Sequence, residues 1–522
     1  VPEKPYALLK AGAAGTVFYL ETDPRGGGGG FGAVGGTLMR YKLSDRKAAT
    51  FASEVADYAV SADGRKLVYR AAPPPGPPPI PGAPPRPVTP TLFLVDADKA
   101  PPTAGTGKLA VSLRMWLDPE AEFAQIFAEG WRNQRDYLYV PNMHGADWPR
   151  MREWYGQFLP YVRHRADLNY LLDMMGAEIA IGHSYVRGGD MPEVPAVQGG
   201  LLGADFVVDR GRYRITRIYD NESWNPELKA PLAVPGVNVA VGDYVLAVNG
   251  EELRAPDNIY RLLDGTANRQ TVLTVNSRPT PEGSREVTVV PVANEQPLRT
   301  RAWVESNRRL VDKLSGGKLA YVYLPNTGQP GYASFNRYYF AQQDRKGVVV
   351  DERYNGGGSA ADYMIEVMQR RFDGYFNNVA GERVPFTSPE AGIWGPKVMI
   401  ANEMSGSGGD YLPYMFHSHH VGTLVGKRTW GGLVHTADTP LFVDGGSMIA
   451  PRGGFFAADG HWAVENQGVA PDVDVENWPK DVIAGHDPQL EKAVEIALQQ
   501  LKDKPVERMM KEPPPPTWGK RK

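Results

Sequence analysis

The sequence predicts a multidomain protein in which β and helical modules precede a parallel α/β core, and three observations carry that prediction. After position 318, short apolar runs alternate with helical stretches, the mark of parallel βαβ units. Before it, strands are separated by Gly- and Pro-rich turns, or helices follow one another without strands. At 522 residues, with 42% apolar and 22% charged residues, the chain has the length and composition for several cores. Composition also excludes classes of function. A net charge of −3 creates no field for nucleic acid or an anionic membrane. The lack of cysteine excludes disulfides, thiolate catalysis and cysteine zinc sites. No apolar run is long enough to span a bilayer. The chain begins Val1-Pro2-Glu3, with no methionine and no signal peptide, as expected of a processed product or the C-terminal part of something longer.

Residues 1–104 read as all-β. Thr16 to Leu20 and Lys66 to Arg70 are strands, with the turn Ser61-Ala62-Asp63-Gly64 before the second. The string Val60 to Tyr69 resembles part of a blade of a TolB-like β-propeller. The segment has room for roughly two blades of four strands and cannot close a ring alone. The remaining blades are therefore expected on an N-terminal part of a longer precursor or on a separate chain. Gly26 to Gly30 and the proline-rich Pro73 to Pro90 read as loops within this region.

Residues 105–195 read as a small helical domain. Asp118 caps a helix with Pro119 in its first position, and Asp147 caps another. Its many aromatics, from Trp116 to Tyr161, read as core. Asp167 to Met175 is a further helix, with Gly176 as its terminal glycine. Ile181 to Val186 reads as a short strand-like piece carrying His183.

Residues 196–296 resemble a PDZ domain. Val241-Gly242-Asp243-Tyr244 to Asn249-Gly250 carries that resemblance most specifically, and a helix follows at Asn258 to Leu263. Gly199 to Phe206 resembles the loop that captures a peptide carboxylate with backbone amides. Residues 297–505 form the α/β core, with strands at 319–324, 347–351, 398–400 and 423–425, and residues 506–522 form a flexible tail.

The chemistry gathers in two βα turns of the core. Lys397 to Ile400 leads into Ala401 to Asp410, which contains Ser405-Gly406-Ser407-Gly408-Gly409, and a helix leads out. A serine in such a turn sits at a helix N-terminus, where free amides and the positive dipole end favour developing negative charge. The other reading of these residues is a glycine-rich loop with serines as helix caps. Asp351 to Gly358 is the second turn; with no Gly-Lys-Ser/Thr after it, it is not a phosphate loop. Facing each other, the two turns could form an oxyanion hole and its nucleophile.

The order of these strings resembles the S41 family of serine peptidases, in its tricorn branch: the PDZ unit, Asp351 to Gly358, Ser405 to Asp410, Val425 to Gly431, then Trp462 to Asp472. The resemblance covers about residues 105–500. It implies a crotonase/ClpP-like catalytic core beside a PDZ-like β domain, a small helical domain and a partial β-propeller sheet. It implies a Ser407 nucleophile, a His183 base, the Glu465 carboxylate and oxyanion amides from Gly408 and Gly357, with no cofactor and no metal. Tricorn places an auxiliary serine directly before the histidine, where this chain has Gly182; Ser184 is the candidate replacement. The Ser/Lys branch places a lysine about twenty-five positions after the serine, and here that position is Gly432. Lys427, His435 and His461 are the rival bases and Ser405 the rival nucleophile. His417, His419 and His420 cluster without a carboxylate at ligand spacing. The resemblance further implies peptide substrates and a homo-oligomer. The TolB-like sheet, the PDZ unit and the missing start methionine point to a periplasmic or secreted protein, with tricorn itself arguing for the cytoplasm. The competing class is a non-catalytic peptide-binding scaffold with a degenerate core, or a Ser/Lys peptidase using Lys427.

Overall fold

A computed structural model describes residues 6–21, 36–72, 91–99, 102–103, 105–111, 114–192, 194–220, 222, 224–380, 383–436, 439–506 and 511–519. The glycine run 26–30, the proline-rich stretch 73–90 and part of the C-terminal tail lie outside the described residues.

Six strands open the chain: β1 (Tyr6–Ala11), β2 (Thr16–Glu21), β3 (Gly36–Lys42), β4 (Lys47–Val60), β5 (Lys66–Ala71) and β6 (Leu92–Asp96). They pair antiparallel in sequential order. Phe18, Leu38, Phe51, Val55 and Leu67 form their core. In a segment with room for roughly two blades, they make one continuous six-stranded sheet. The reason is β4, whose 14 residues pair first with β3 and then, from Val55 onward, with β5.

Three helices follow: α1 (Pro119–Tyr137), α2 (Trp148–Gly156) and α3 (Arg165–Ala177). Asp118 caps α1 by accepting from the amides of Glu120 and Ala121, and Asp147 caps α2. Phe127, Trp131 and Trp148 enter the helical core, whereas Trp116, Phe158 and Tyr161 stay exposed. Gly176 lies inside α3 and does not end it. A Cβ there would come within 2.6 Å of Met448 Cε, so the glycine serves packing against the core domain.

The 181–185 segment is a turn, not the expected strand piece; only β7 (Val186–Arg187) is extended, and it pairs with β20 (Ser447–Met448) of the core. The PDZ-like unit comprises β8 (Ala204–Asp209), β9 (Arg212–Ile218), β10 (Tyr244–Val248), β11 (Glu251–Glu252), α4 (Ile259–Leu262), β12 (Thr271–Asn276) and β13 (Arg285–Val289). Its sheet order is β13-β12-β10-β9-β8.

The core adds α5 (Gln296–Ser315), β14 (Leu319–Tyr323), α6 (Gln329–Ala341), β15 (Gly347–Asp351), α7 (Ala361–Met368), β16 (Gly374–Phe376) and β17 (Phe386–Ser388). It continues with β18 (Lys397–Ala401), α8 (Gly408–Ser418), β19 (Thr423–Gly426), β21 (Val473–Asp474), α9 (Pro479–Ile483) and α10 (Pro488–Asp503). The sheet β14-β15-β18-β19-β21 is parallel throughout. Its central strands are buried at every position, which is why they read as unbroken Val/Ile runs. A parallel sheet presents its βα loops along one edge, so the loops after β15, β18 and β19 meet at the carboxyl ends of their strands.

Candidate active site

Ser407 is the residue before α8, with φ 59° and ψ −117°, a backbone conformation that non-glycine residues rarely adopt. Two acceptors hold its amide: Asp410 Oδ2 at 2.8 Å and the Gly432 carbonyl at 3.1 Å. The Gly408 amide, first in α8, donates to no acceptor among the described residues. Ser407 thus stands at a helix N-terminus with an uncommitted N–H beside it.

Asp410 is the clasp of the site, and the sequence reading missed it. It is fully buried. Oδ1 accepts from Thr429 Oγ1 at 2.5 Å and the Gly431 amide at 2.7 Å; Oδ2 accepts from the amides of Ser407 and Gly432. Burial raises its carboxyl, and these four donors pull the other way. The signal was its position three residues after Ser407, where an acid closes back on a helix cap.

The loop after β15 faces this turn. The Gly406 amide donates to the Asn355 carbonyl, and Gly357, at φ 88°, turns its bare Cα toward Ser407. A Cβ at Gly357 would lie 2.5 Å from Ser407 Cβ. Here one expectation is corrected. The Gly357 amide donates to Asn355 Oδ1 at 3.0 Å, so in this conformation Gly357 gives close approach and no free oxyanion donor.

Below the loop, Glu352 is wholly buried. Its Oε2 accepts from Asn355 Nδ2 at 3.0 Å while Oε1 has no partner among the described residues. Burial pushes this carboxyl well above the usual carboxylate range, and the Asn355 hydrogen bond only partly offsets it. Ser405, the rival nucleophile, is also fully buried, its hydroxyl donated to the Glu352 carbonyl. It is inaccessible.

His183 sits in its turn at φ 61°, half-buried, with ring contacts to Trp430 at 5.4 Å and Tyr185 at 5.9 Å between centroids. Trp430 also packs on Gly406, whose Cβ would meet its Cε3 at 2.7 Å, so the base candidate and the serine turn share one wall. Burial lowers the imidazole from its ordinary value, and the carboxylates of Glu465 and Asp410 oppose that shift.

Glu465 comes to the same place but touches backbone. Oε1 accepts from the Gly182 amide at 2.9 Å; Oε2 accepts from the amides of Leu433 and Val434 at 2.7 and 3.0 Å. The expected link from Glu465 to the imidazole is absent: His183 Nδ1 is buried without a partner among the described residues. Ser184 does not replace the missing serine at 182, because its hydroxyl accepts from Gln134 Nε2 on α1 at 3.1 Å and lies against α3. Val464 and Asn466, flanking Glu465, have φ 73° and 59°. Ser407 and His183 are themselves positive-φ residues and Glu465 lies between two, a clustering of backbone strain of the kind found at functional sites.

The rival bases are elsewhere. The Lys427 ammonium pairs with Asp474 at 2.8 Å and Glu476 at 3.4 Å, which raises its pKa, the wrong direction for a base. His435 and His461 are exposed. His417 and His419 diverge, to Asp472 and to Gln369. The PDZ carboxylate loop is also corrected: the Gly200 and Leu201 amides donate to the carbonyls of Leu263 and Val292, and that of Gly203 to the Glu295 carboxylate, so these donors are spent internally.

A strained serine at a helix N-terminus, opposite a glycine turn at the carboxyl edge of a parallel sheet, is the class of site that serine hydrolases use. Comparison with known proteins narrows the class. Residues 119–177 match the tricorn protease C1 domain, 200–294 the tricorn protease PDZ domain and 318–475 peptidase family S41. The chain belongs to the S41 serine peptidases, in their tricorn-like branch. It is 35% identical to tricorn protease homolog 1 of Streptomyces coelicolor over 90% of this chain and 42% of that protein. It is 28% identical to the tricorn protease of Thermoplasma volcanium over 90% of this chain and 44% of that protein. A putative tricorn-like protease C-terminal subunit of Sulfurisphaera tokodaii is 33% identical over 79% of this chain and 48% of that protein. The crystal structure of the tricorn protease superposes with a TM-score of 0.80 at 26% identity, over 95% of this chain and 46% of that one. The chain therefore spans less than half the length of these relatives.

Proposed function

We propose that this chain carries the catalytic half of a tricorn-type serine peptidase that cleaves unfolded peptides through an acyl-enzyme. The observation that carries the reading is Ser407: strained, at the head of α8, beside the uncommitted Gly408 amide. In this reading Ser407 Oγ attacks the scissile carbonyl while His183 takes its proton. The carbonyl oxygen gains charge against the Gly408 amide and the α8 dipole. The tetrahedral intermediate collapses, His183 protonates the leaving amine, and water then hydrolyses the ester by the same route. Glu465 keeps the Gly182 amide, and with it the His183 turn, against the core, and its charge favours the imidazolium. By likeness to the tricorn proteases, the chain would assemble with copies of itself, and the opening sheet would join further propeller strands.

One observation favours the non-catalytic alternative: the unpartnered Nδ1 of His183. Labelling with a fluorophosphonate, followed by peptide mapping, separates the two readings. The peptidase reading expects an adduct on Ser407, lost in Ser407→Ala and slowed at least about 100-fold in His183→Ala, with parallel loss of hydrolysis of fluorogenic peptides. A wild-type protein that forms no Ser407 adduct is a scaffold.

A further inference from the structure

The imidazole of His183 lacks what usually orients a catalytic histidine, an acceptor for its second nitrogen. Nδ1 is buried without a partner among the described residues. The nearby carboxylate is turned to backbone: both oxygens of Glu465 accept from amides, those of Gly182, Leu433 and Val434. Position 182 has no side chain to relay a hydrogen bond, and the Ser184 hydroxyl is engaged by Gln134.

What does touch the ring is aromatic. The Trp430 indole lies 5.4 Å from it, tilted by 50°, and the Tyr185 ring 5.9 Å away at 62°. Trp430 is 48% exposed and is held along its inner side. Its backbone amide donates to the Ser405 carbonyl at 2.9 Å. Its rings fill the space left by three glycines: Cβ atoms at Gly182, Gly406 and Gly432 would lie 3.2, 2.7 and 2.2 Å from indole carbons. One side chain thus bridges the base and the nucleophile turn.

We propose that Trp430, with Tyr185 as a second ring, is the positioning residue of His183: ring contact aims the imidazole, and the π-face stabilises the imidazolium formed as Ser407 loses its proton. The charged groups facing the imidazole are Glu465 and Asp410, both fixed by backbone donors, so they supply field without directing the ring. The proposal rests on Ser407 and His183 being nucleophile and base.

The test is the pH dependence of Ser407 labelling by a fluorophosphonate in the full chain. In that reaction an Oγ–P bond forms, fluoride leaves and the serine proton passes to the base. Trp430→Leu should label more than about 10-fold slower, with its acid-side inflection moved to lower pH as the cation loses its ring. Trp430→Phe should recover most of the rate, to within roughly 3-fold, with an intermediate inflection. Tyr185→Leu should shift the inflection in the same direction, and it carries the test if Trp430→Leu fails to fold. An inflection that stays or rises, or a rate equal to wild type in the leucine variants, overturns the proposal while leaving the base assignment standing. Wild-type labelling by His183→Ala would remove the base assignment and this proposal with it.

Discussion

Ser407 holds a backbone conformation that a serine reaches only under constraint, and the constraint is visible: Asp410 and the Gly432 carbonyl grip its amide, and Gly357 leaves room for its side chain. At this scale Gly357 is the glycine pressed against Ser407 itself. Its φ of 88° suits glycine, and any Cβ would press on Ser407 at 2.5 Å. Gly357→Ala should therefore cost about 1–3 kcal/mol of stability and displace the nucleophile, lowering labelling and peptide hydrolysis about 100-fold or more. Denaturant melts beside labelling rates check this; full activity in a folded Gly357→Ala protein would show that the close approach is not required.

The loop after β15 is the element on which the serine turn rests, and Glu352 is its buried support. In the unfolded chain this carboxyl ionises near pH 4.5, whereas burial in the fold raises that value well above it. A raised folded pKa means that the stabilisation is complete below about pH 4.5 and drains away as pH rises toward the folded value. Glu352→Gln keeps the shape and an acceptor for Asn355 without the ionisable proton. It should thus melt higher than wild type at pH 8, with the difference narrowing toward pH 4. Thermal melts across that range test it, and a constant difference would mean that Glu352 does not titrate between the two states. The elements themselves were largely legible beforehand. Asp118 with Pro119, the valine run of β15 and the strand–turn–helix around Ser407 form through local rules: capping, burial on both faces, and glycine punctuation. The His183 segment was misread as a strand because its turn is imposed from outside, by Glu465 on the Gly182 amide and Asn466 on the Ala180 carbonyl.

Across the whole molecule, the helical domain docks on the core and places His183 against Trp430, which also packs on the serine turn. Besides the β7–β20 pairing, that docking depends on a buried ion pair, Arg165 Nε to Asp444 Oδ2 at 2.6 Å, with both side chains 2% exposed. Asp444 also accepts from the amides of Asp190 and Gly446, tying three segments together. Asp444→Ala would leave the guanidinium buried without its carboxylate and should cost about 3–5 kcal/mol. It should slow Ser407 labelling although no residue of the serine turn has changed. Chemical denaturation and labelling on the same samples check this; undiminished labelling would mean that this contact does not position the base.

The sequence by itself determined the modules and marked the residues proposed to react. Glycine turns, capping acids and the spacing of buried runs are local features, and Ser407, His183 and Glu465 stand in strings that can be read without a fold. Only the tertiary structure decided how those residues are held. The grip of Asp410 on Thr429, Gly431 and Gly432, the wall made by Trp430, the spent amides of the PDZ loop and the backbone-facing Glu465 all join segments distant in the chain. A carboxylate's partner is chosen by which donors the fold brings within 3 Å, and no spacing in the sequence encodes that choice.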